Sequence, residues 1–338
     1  MTRWIRLFAT ALVALVVVAC SAGSGRTSDL ASPATSASAP GSAAAGGCPV
    51  TPAPAGTPEG WDVTSQHPSI FPQIINPPGT VTCGKTRLMF SFLDSQNVPV
   101  AKPDRSVDVK VFDLGADPKK PVAEGPATFI WAIEPQVGVY VIDIDLPTSG
   151  AYGVEFTTTP AGGTAETIRT TMDVQPNSEV IAVGDKAPAS DTPTLDDVGG
   201  DVAKISTDPN PDPAFYKTSI ADAVAAKKPF VVAFATPKFC VSKQCGPTLD
   251  RLKPIAAKHP GVTVINVEPY QLTYADGGLQ PVLDANGNLQ PTKATDDWHL
   301  PSEPWVFVVD KDGIVTDSFM LIFSDEELDQ AMSAVEKG

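Results

Sequence analysis

Positive charge is scarce in this 338-residue chain: 24 Lys and Arg stand against 39 Asp and Glu, a formal charge of -15. That balance argues against sequence-independent binding to polyanions and sets nucleic acid aside as a partner. No apolar run reaches the roughly 20 residues that a membrane-spanning helix takes, and Leu7 to Val18 falls short of it. Large apolar residues are nearly missing between 21 and about 60, so that stretch cannot bury enough surface to fold. Helical stripes are missing from 61 to 182. Hydrophobic residues make up an ordinary 42% and charged residues 19%, which supplies a sizeable core and excludes wholesale disorder. The length suggests two domains. The 34 prolines and 26 glycines point to linkers and loop-rich β-structure.

Arg3 and Arg6 precede the apolar run, which ends at Ala19-Cys20, the pattern of an export signal. Val17-Val18-Ala19-Cys20 resembles the bacterial lipobox, with Val17 where Leu is usual. The resemblance implies removal of residues 1–19, acylation of Cys20 and attachment to the membrane on its extracytoplasmic face, since each buried methylene contributes about 0.8 kcal/mol. Residues 20–60 then read as a disordered Ser/Ala/Pro tether, extended by Pro49, Pro52, Pro54 and Pro58.

Between 61 and 182 the sequence alternates with period two, as in Leu88-Met89-Phe90-Ser91-Phe92, Val107-Asp108-Val109-Lys110-Val111 and Val139-Tyr140-Val141-Ile142-Asp143-Ile144-Asp145. Turn-rich breaks such as Pro147-Thr148-Ser149-Gly150 separate the runs, and an all-β immunoglobulin-like sandwich is predicted. A Pro/Asp/Thr-rich segment at 183–200 reads as a second linker. From 201 to 338 the rhythm changes. A short helix near Ser219–Ala226 precedes the buried strand Pro229–Ala235, and a helix from Pro247 to His259 precedes the strand Gly261–Val267. A hairpin spans Pro304–Met320, and a last helix opens at the capping box Ser324-Asp325-Glu326-Glu327.

Two cysteines, Cys240 and Cys245, sit between the first buried strand and the helix after it. That order, with Phe234-Ala235-Thr236-Pro237-Lys238-Phe239-Cys240 and Glu303-Pro304-Trp305-Val306-Phe307-Val308-Val309-Asp310, resembles the thioredoxin-like superfamily over roughly 184–338. Gly184-Asp185-Lys186-Ala187-Pro188 is similar to the opening of its TlpA and peroxiredoxin branches. The resemblance implies an α/β thioredoxin-like domain at 201–338, a cis peptide before Pro304 behind the cysteines, and thiol-disulfide exchange with exported protein thiols or disulfides, without a cofactor. The C-x4-C spacing departs from the two-residue spacing usual there. Pro237 and Pro304 stand where a peroxidase of that branch needs Thr or Ser and Arg, which argues against peroxide chemistry.

Lys238, Lys243 and a helix N-terminus would favour a thiolate, with Cys240 as nucleophile and Cys245 as resolving thiol. Reading Cys245-Gly246-Pro247-Thr248 as the motif swaps those roles. The bland alternative is a permanent disulfide in an oxidising compartment. Cys48 and Cys83 are then left for a structural disulfide, worth about 3–4 kcal/mol for a closure of that length. Glu268 is a candidate proton acceptor or a capped strand end, and Glu303 a candidate substrate-backbone contact. His299, with Asp296 and Asp297, is a candidate metal or proton-transfer group that is more often simply solvated. Asp284, Asn286 and Asn288 imitate half a calcium loop, but Leu289 and Thr295 occupy its glycine and bidentate positions.

The leading expectation is a lipid-anchored extracytoplasmic thiol-disulfide oxidoreductase. The alternatives are a non-enzymatic binding lipoprotein whose C-x4-C bridge is structural, and a copper chaperone using Cys240 and His299.

Overall fold

The run Leu88-Met89-Phe90-Ser91-Phe92 places Leu88, Phe90 and Phe92 on one face of a strand and Met89 and Ser91 on the other, and both faces are buried. This double burial organises the molecule. The computed structural model describes residues 48–338. The expected export signal 1–19, the lipidation position Cys20 and the tether as far as residue 47 lie outside the described residues.

Eight strands form the first half: β1 (Ile70–Ile74), β2 (Gly84–Asp94), β3 (Ser106–Asp113), β4 (Pro121–Pro126), β5 (Thr128–Ile133), β6 (Val137–Leu146), β7 (Gly150–Thr159) and β8 (Glu166–Val174). They pair antiparallel into two sheets of order β1-β2-β6-β5 and β4-β3-β7-β8. Leu88, Phe90, Tyr140 and Ile142 of one sheet meet Val109, Val111, Tyr152, Val154 and Phe156 of the other. The Phe90 and Phe156 rings lie 4.6 Å apart, and Phe92 meets Phe156 edge-on at 5.5 Å.

The second half carries a mixed sheet of β9 (Phe230–Phe234), β10 (Thr263–Val267), β13 (Trp305–Val309) and β14 (Val315–Met320), in the order β10-β9-β13-β14. Only β9 and β10 run parallel; β13 is antiparallel to both its neighbours. Strands β9 and β13 are buried at every position, which explains their unbroken apolar runs. Val231, Ala233, Val306 and Val308 face α2 (Cys245–Ala256) and α4 (Asp325–Lys337), meeting Leu249, Leu252, Leu328 and Met332. Phe230, Val232, Phe234, Trp305 and Phe307 face the other way. There they share one core with Met89, Ile130, Val139 and Val141 of the sandwich, with Ile220 of α1 (Ile220–Ala226), and with Ala294 of α3 (Lys293–Asp297) and neighbouring Trp298. The hairpin β11 (Leu272–Ala275) and β12 (Gly278–Pro281) stands apart as a two-stranded sheet.

The expected fold class is therefore corrected. An α/β domain has helices over both faces of a mostly parallel sheet. Here the described chain is predominantly β, arranged in four sheets, and the third sheet closes one face partly on the sandwich. All described residues belong to one compact unit.

Residues 48–60, the described part of the first expected linker, and residues of the second take part in it. Residues 48–60 run along the sandwich: Cys48 is bonded to Cys83, Val50 bridges Ser149, and the Thr51 hydroxyl donates to Asp113 Oδ2 at 2.8 Å. Trp61 follows, its ring filling the space that Gly153 leaves and its Nε1 donating to Pro118 O at 3.0 Å. At the other segment, Gly184 and Ala187 donate to Val315 and Gly313 at 2.8 and 2.9 Å, adding backbone bonds at the entry to β14. Pro- and Ser-rich composition lowers apolar content but leaves backbone groups free to pair with a sheet edge.

Arg87 on β2 reaches α4, with Nε and Nη2 on the Glu327 carboxylate at 2.7 and 3.1 Å. Glu327 also closes the capping box with Ser324. Burial lifts the Glu327 carboxyl, but Arg87 outweighs that and holds it below its ordinary 4.5. With the folded value lowered, the pair's contribution is complete above about pH 4.5 and is lost as pH falls through the lowered value. Gln retains the capping geometry. Glu327→Gln is expected to cost about 1–3 kcal/mol at pH 7 by urea denaturation, with the difference from wild type shrinking below about pH 4.

Candidate functional site

Phe234 lies beside both Val267 and Trp305, so the segments that leave β9 and β10 and the one that enters β13 gather at one end of the sheet. This juxtaposition brings together Cys240, Tyr270 and Glu303, which are far apart in sequence.

Beyond β9, Phe239 N–H donates to Thr236 O at 3.1 Å, and Lys238 Nζ reaches Leu279 O of β12 at 2.8 Å. The turn delivers Cys240, half-buried, beside Cys245, the buried first residue of α2. The two are joined in a disulfide with a Cα separation of 6.1 Å. Cys245 N–H donates to Cys240 Sγ at 3.2 Å, and Ser242 Oγ lies 3.3 Å from the same sulfur. Ser242 Oγ also donates to Glu303 O at 3.1 Å. Lys243 takes a left-handed φ of 62°, a conformation uncommon for a side chain of its kind. Val241, at the tip of the loop, is 81% exposed.

Glu303 is 4% exposed and precedes Pro304 across a cis peptide. Its Oε1 accepts from Val241 N–H at 3.0 Å, and its Oε2 accepts from the Tyr270 hydroxyl. Burial, and then the Glu303 carboxylate, push the Tyr270 phenol above its ordinary value. One carboxylate thus fastens the cysteine loop to the segment after β10. Cys240 Sγ, Cys245 Sγ and a Glu303 oxygen lie within 4.8 Å of one another.

Glu268 has a different setting. Burial pushes its carboxyl up to about 7, against hydrogen bonds from Thr236 and Thr207, the latter at 2.6 Å. Its Oε2 is buried without a partner. Its bonds hold the base of the turn, and among the described hydrogen bonds none links it to either sulfur. His299 is exposed at the end of α3, and Asp297 is taken by Lys293 and Ser190. The third ligand-bearing group beside the cysteines is Glu303, and His299 is not part of that group. Asp284 Oδ1 accepts from the Asn286 and Asn288 N–H groups at 2.8 Å, closing a turn with its own neighbours. Ser242 lies within the C-x4-C loop itself, whereas no periodicity or spacing in the sequence ties Tyr270 to the cysteines.

A cavity of about 610 Å³ lies between the sandwich and the third sheet. It opens where the outer face of β6 changes from Val139 and Val141 to Asp143 and Asp145. Lys85, Asp317, Trp305 and Met320 line it with these acids. Partial withdrawal from water pushes the Asp143 and Asp317 carboxyls up.

No protein-family model matches the chain, and no curated protein matches it. Among solved structures it is similar to a DUF4426 family protein from Pseudomonas aeruginosa PAO1, at 13% identity over 32% of this chain and 91% of that one, with a TM-score of 0.23. It is also similar to the PmoD soluble domain from Methylocystis sp. ATCC 49242 (Rockwell), at 15% identity, 31% and 90% coverage and a TM-score of 0.20. The Lin-41 filamin domain gives 14% identity, 31% and 93% coverage and a TM-score of 0.19. Likenesses of this size carry no functional inference. The expected thioredoxin-like resemblance is corrected together with the fold class by the architecture itself, since the described chain is predominantly β and one face of the third sheet closes partly on the sandwich.

Tyr270→Phe removes a donor from a buried carboxylate. It is expected to lower the stability of the oxidised protein by about 1–3 kcal/mol in urea denaturation.

Proposed function

We propose that this protein is a non-catalytic extracytoplasmic binding protein, lipid-anchored through Cys20, whose two disulfides are structural and whose ligand occupies the cleft between the sandwich and the third sheet. The cleft carries the reading. Its volume falls within the roughly 300–1,000 Å³ of small-molecule sites, and Trp305 and Met320 supply an apolar wall beside a few convergent charges. Arg87 is committed to Glu327, which leaves Lys85 against Asp143, Asp145 and Asp317. The surplus is negative, and burial already disfavours the charge on Asp143 and Asp317. A cationic group would relieve that cost, so a small amine with an apolar body is the ligand class that fits.

Two disulfides suit a chain that folds outside the cytoplasm. Cys48–Cys83 closes 35 residues and pins the entry of the chain to the sandwich. Cys240–Cys245 holds a loop that Ser242 and Glu303 also fasten. A second reading, exchange of disulfides with exported proteins, is favoured by one observation: Cys240 is half-exposed before a helix N-terminus while Cys245 is buried.

Two measurements test these readings. Spermidine is expected to raise the Tm of wild type, with the shift lost in Asp143→Asn/Asp317→Asn and absent with citrate; equal shifts in wild type and variant would refute the cleft. The Cys240–Cys245 reduction potential is expected below about -300 mV, as for structural bridges, whereas a value near about -200 mV would transfer the function to exchange.

A further inference from the structure

We infer that Cys240, Cys245 and Glu303 form a latent site for a zinc-type divalent cation, closed in the oxidised protein and opened when the bridge is reduced. The inference goes beyond the cleft and does not depend on it.

The donor set is the starting point. Two sulfurs and a carboxylate oxygen within 4.8 Å of one another have the spread that one metal ion spans, with bonds of about 2.3 Å to sulfur and 2.0–2.2 Å to oxygen. The three arise on separate pieces of backbone: the loop after β9, the first turn of α2 and the residue before Pro304. Zn²⁺ accepts this mixture of thiolate and carboxylate with a fourth position open, whereas a soft monovalent ion such as Cu⁺ is satisfied by thiolates alone.

The outer shell is already built. Val241 N–H and the Tyr270 hydroxyl each hold one oxygen of Glu303, fixing a buried carboxylate beside the sulfurs. Carboxylate ligands are oriented in this way by donors behind them. Cys245 also sits at the N-terminal end of α2, where negative charge on sulfur is favoured.

The chemistry balances with a dithiol as reductant. The dithiol gives two electrons and two protons, the Cys240–Cys245 S–S bond breaks, and the dithiol closes into its own disulfide. Zn²⁺ then displaces one proton from each thiol and forms two Zn–S bonds and one bond to Glu303. The loop is closed by the S–S bond in one state and by S–Zn–S in the other, so the metal replaces the bridge as the pin of residues 240–245.

The test uses the full chain, reduced with a dithiol and then freed of it without oxygen, alongside the oxidised protein. Bound zinc is counted after gel filtration, and Cd²⁺ replaces it to read the thiolate-to-cadmium absorption. Reduced wild type is expected to retain one more zinc per chain than the reduced Cys240→Ser/Cys245→Ser variant, and the oxidised protein none at this site. Glu303→Gln is expected to weaken retention at least as much as the roughly 10–100-fold lost with outer-shell partners. The cadmium band reports whether both thiolates remain available in that variant. The inference is overturned if reduced wild type and the double serine variant retain equal zinc, or if Glu303→Gln binds as tightly as wild type. Neither result alters the spermidine response or the potential of the oxidised bridge.

Discussion

Strands β2 and β6 each have two faces to bury, and the molecule depends on how both are covered. Leu88 and Ile142 are partners across the two strands and point into the sandwich, while Met89 and Val141, the next pair along, point out of it. Left in water, the outward pair with Val139 and Ile130 would expose a continuous apolar patch of the kind that drives association. The third sheet covers them with Phe230, Phe234, Trp305 and Phe307. One sheet therefore belongs to two cores, and the β-layers are fastened by the same apolar contacts that fold them. Arg87 and Glu327 continue the seam in polar form at its edge.

The candidate sites follow from that seam. Where Asp143 and Asp145 replace valines on the outer face of β6, the two halves no longer fill the space between them, and a cleft with an acidic surplus results. At the end of the third sheet, the fixed register of β9 with β10 and β13 gathers Cys240, Tyr270 and Glu303. The disulfide keeps the loop there, and Glu303 fastens it a second time through Val241 N–H. A pair of cysteines held by two independent ties is a suitable staple, and a buried carboxylate lies between them and Tyr270.

Much of the local structure is legible in the sequence. Period-two alternation marks β2, β3 and β6, unbroken apolar runs mark β9 and β13, and Ser324 with Glu327 marks the start of α4. What covers a sheet face is not legible, because Val141 pointing outward is the same residue as Val154 pointing inward. The order of strands and helices after residue 201 suggested a helix-covered α/β domain for this reason, and the partner that actually closes one face lies a hundred residues upstream. The ties of residues 48–60 and 183–200 are invisible for a related cause: they are made mainly by backbone groups, which every residue type carries. Cys240 and Cys245 announce themselves by spacing, and Glu303 is expected beside them from the Glu303-Pro304 pair, whereas Tyr270 joins them only through sheet register.

Hydrogen exchange across a urea titration tests the shared core most directly, because it assigns an opening free energy to each strand. If the seam binds the layers into one cooperative unit, the slowest amides of β3 and β7 in the sandwich and of β9 and β13 in the third sheet are expected to converge on the same global opening. Loss of protection in β9 and β13 while β3 and β7 remain closed would contradict the account and return the chain to two independently folding halves.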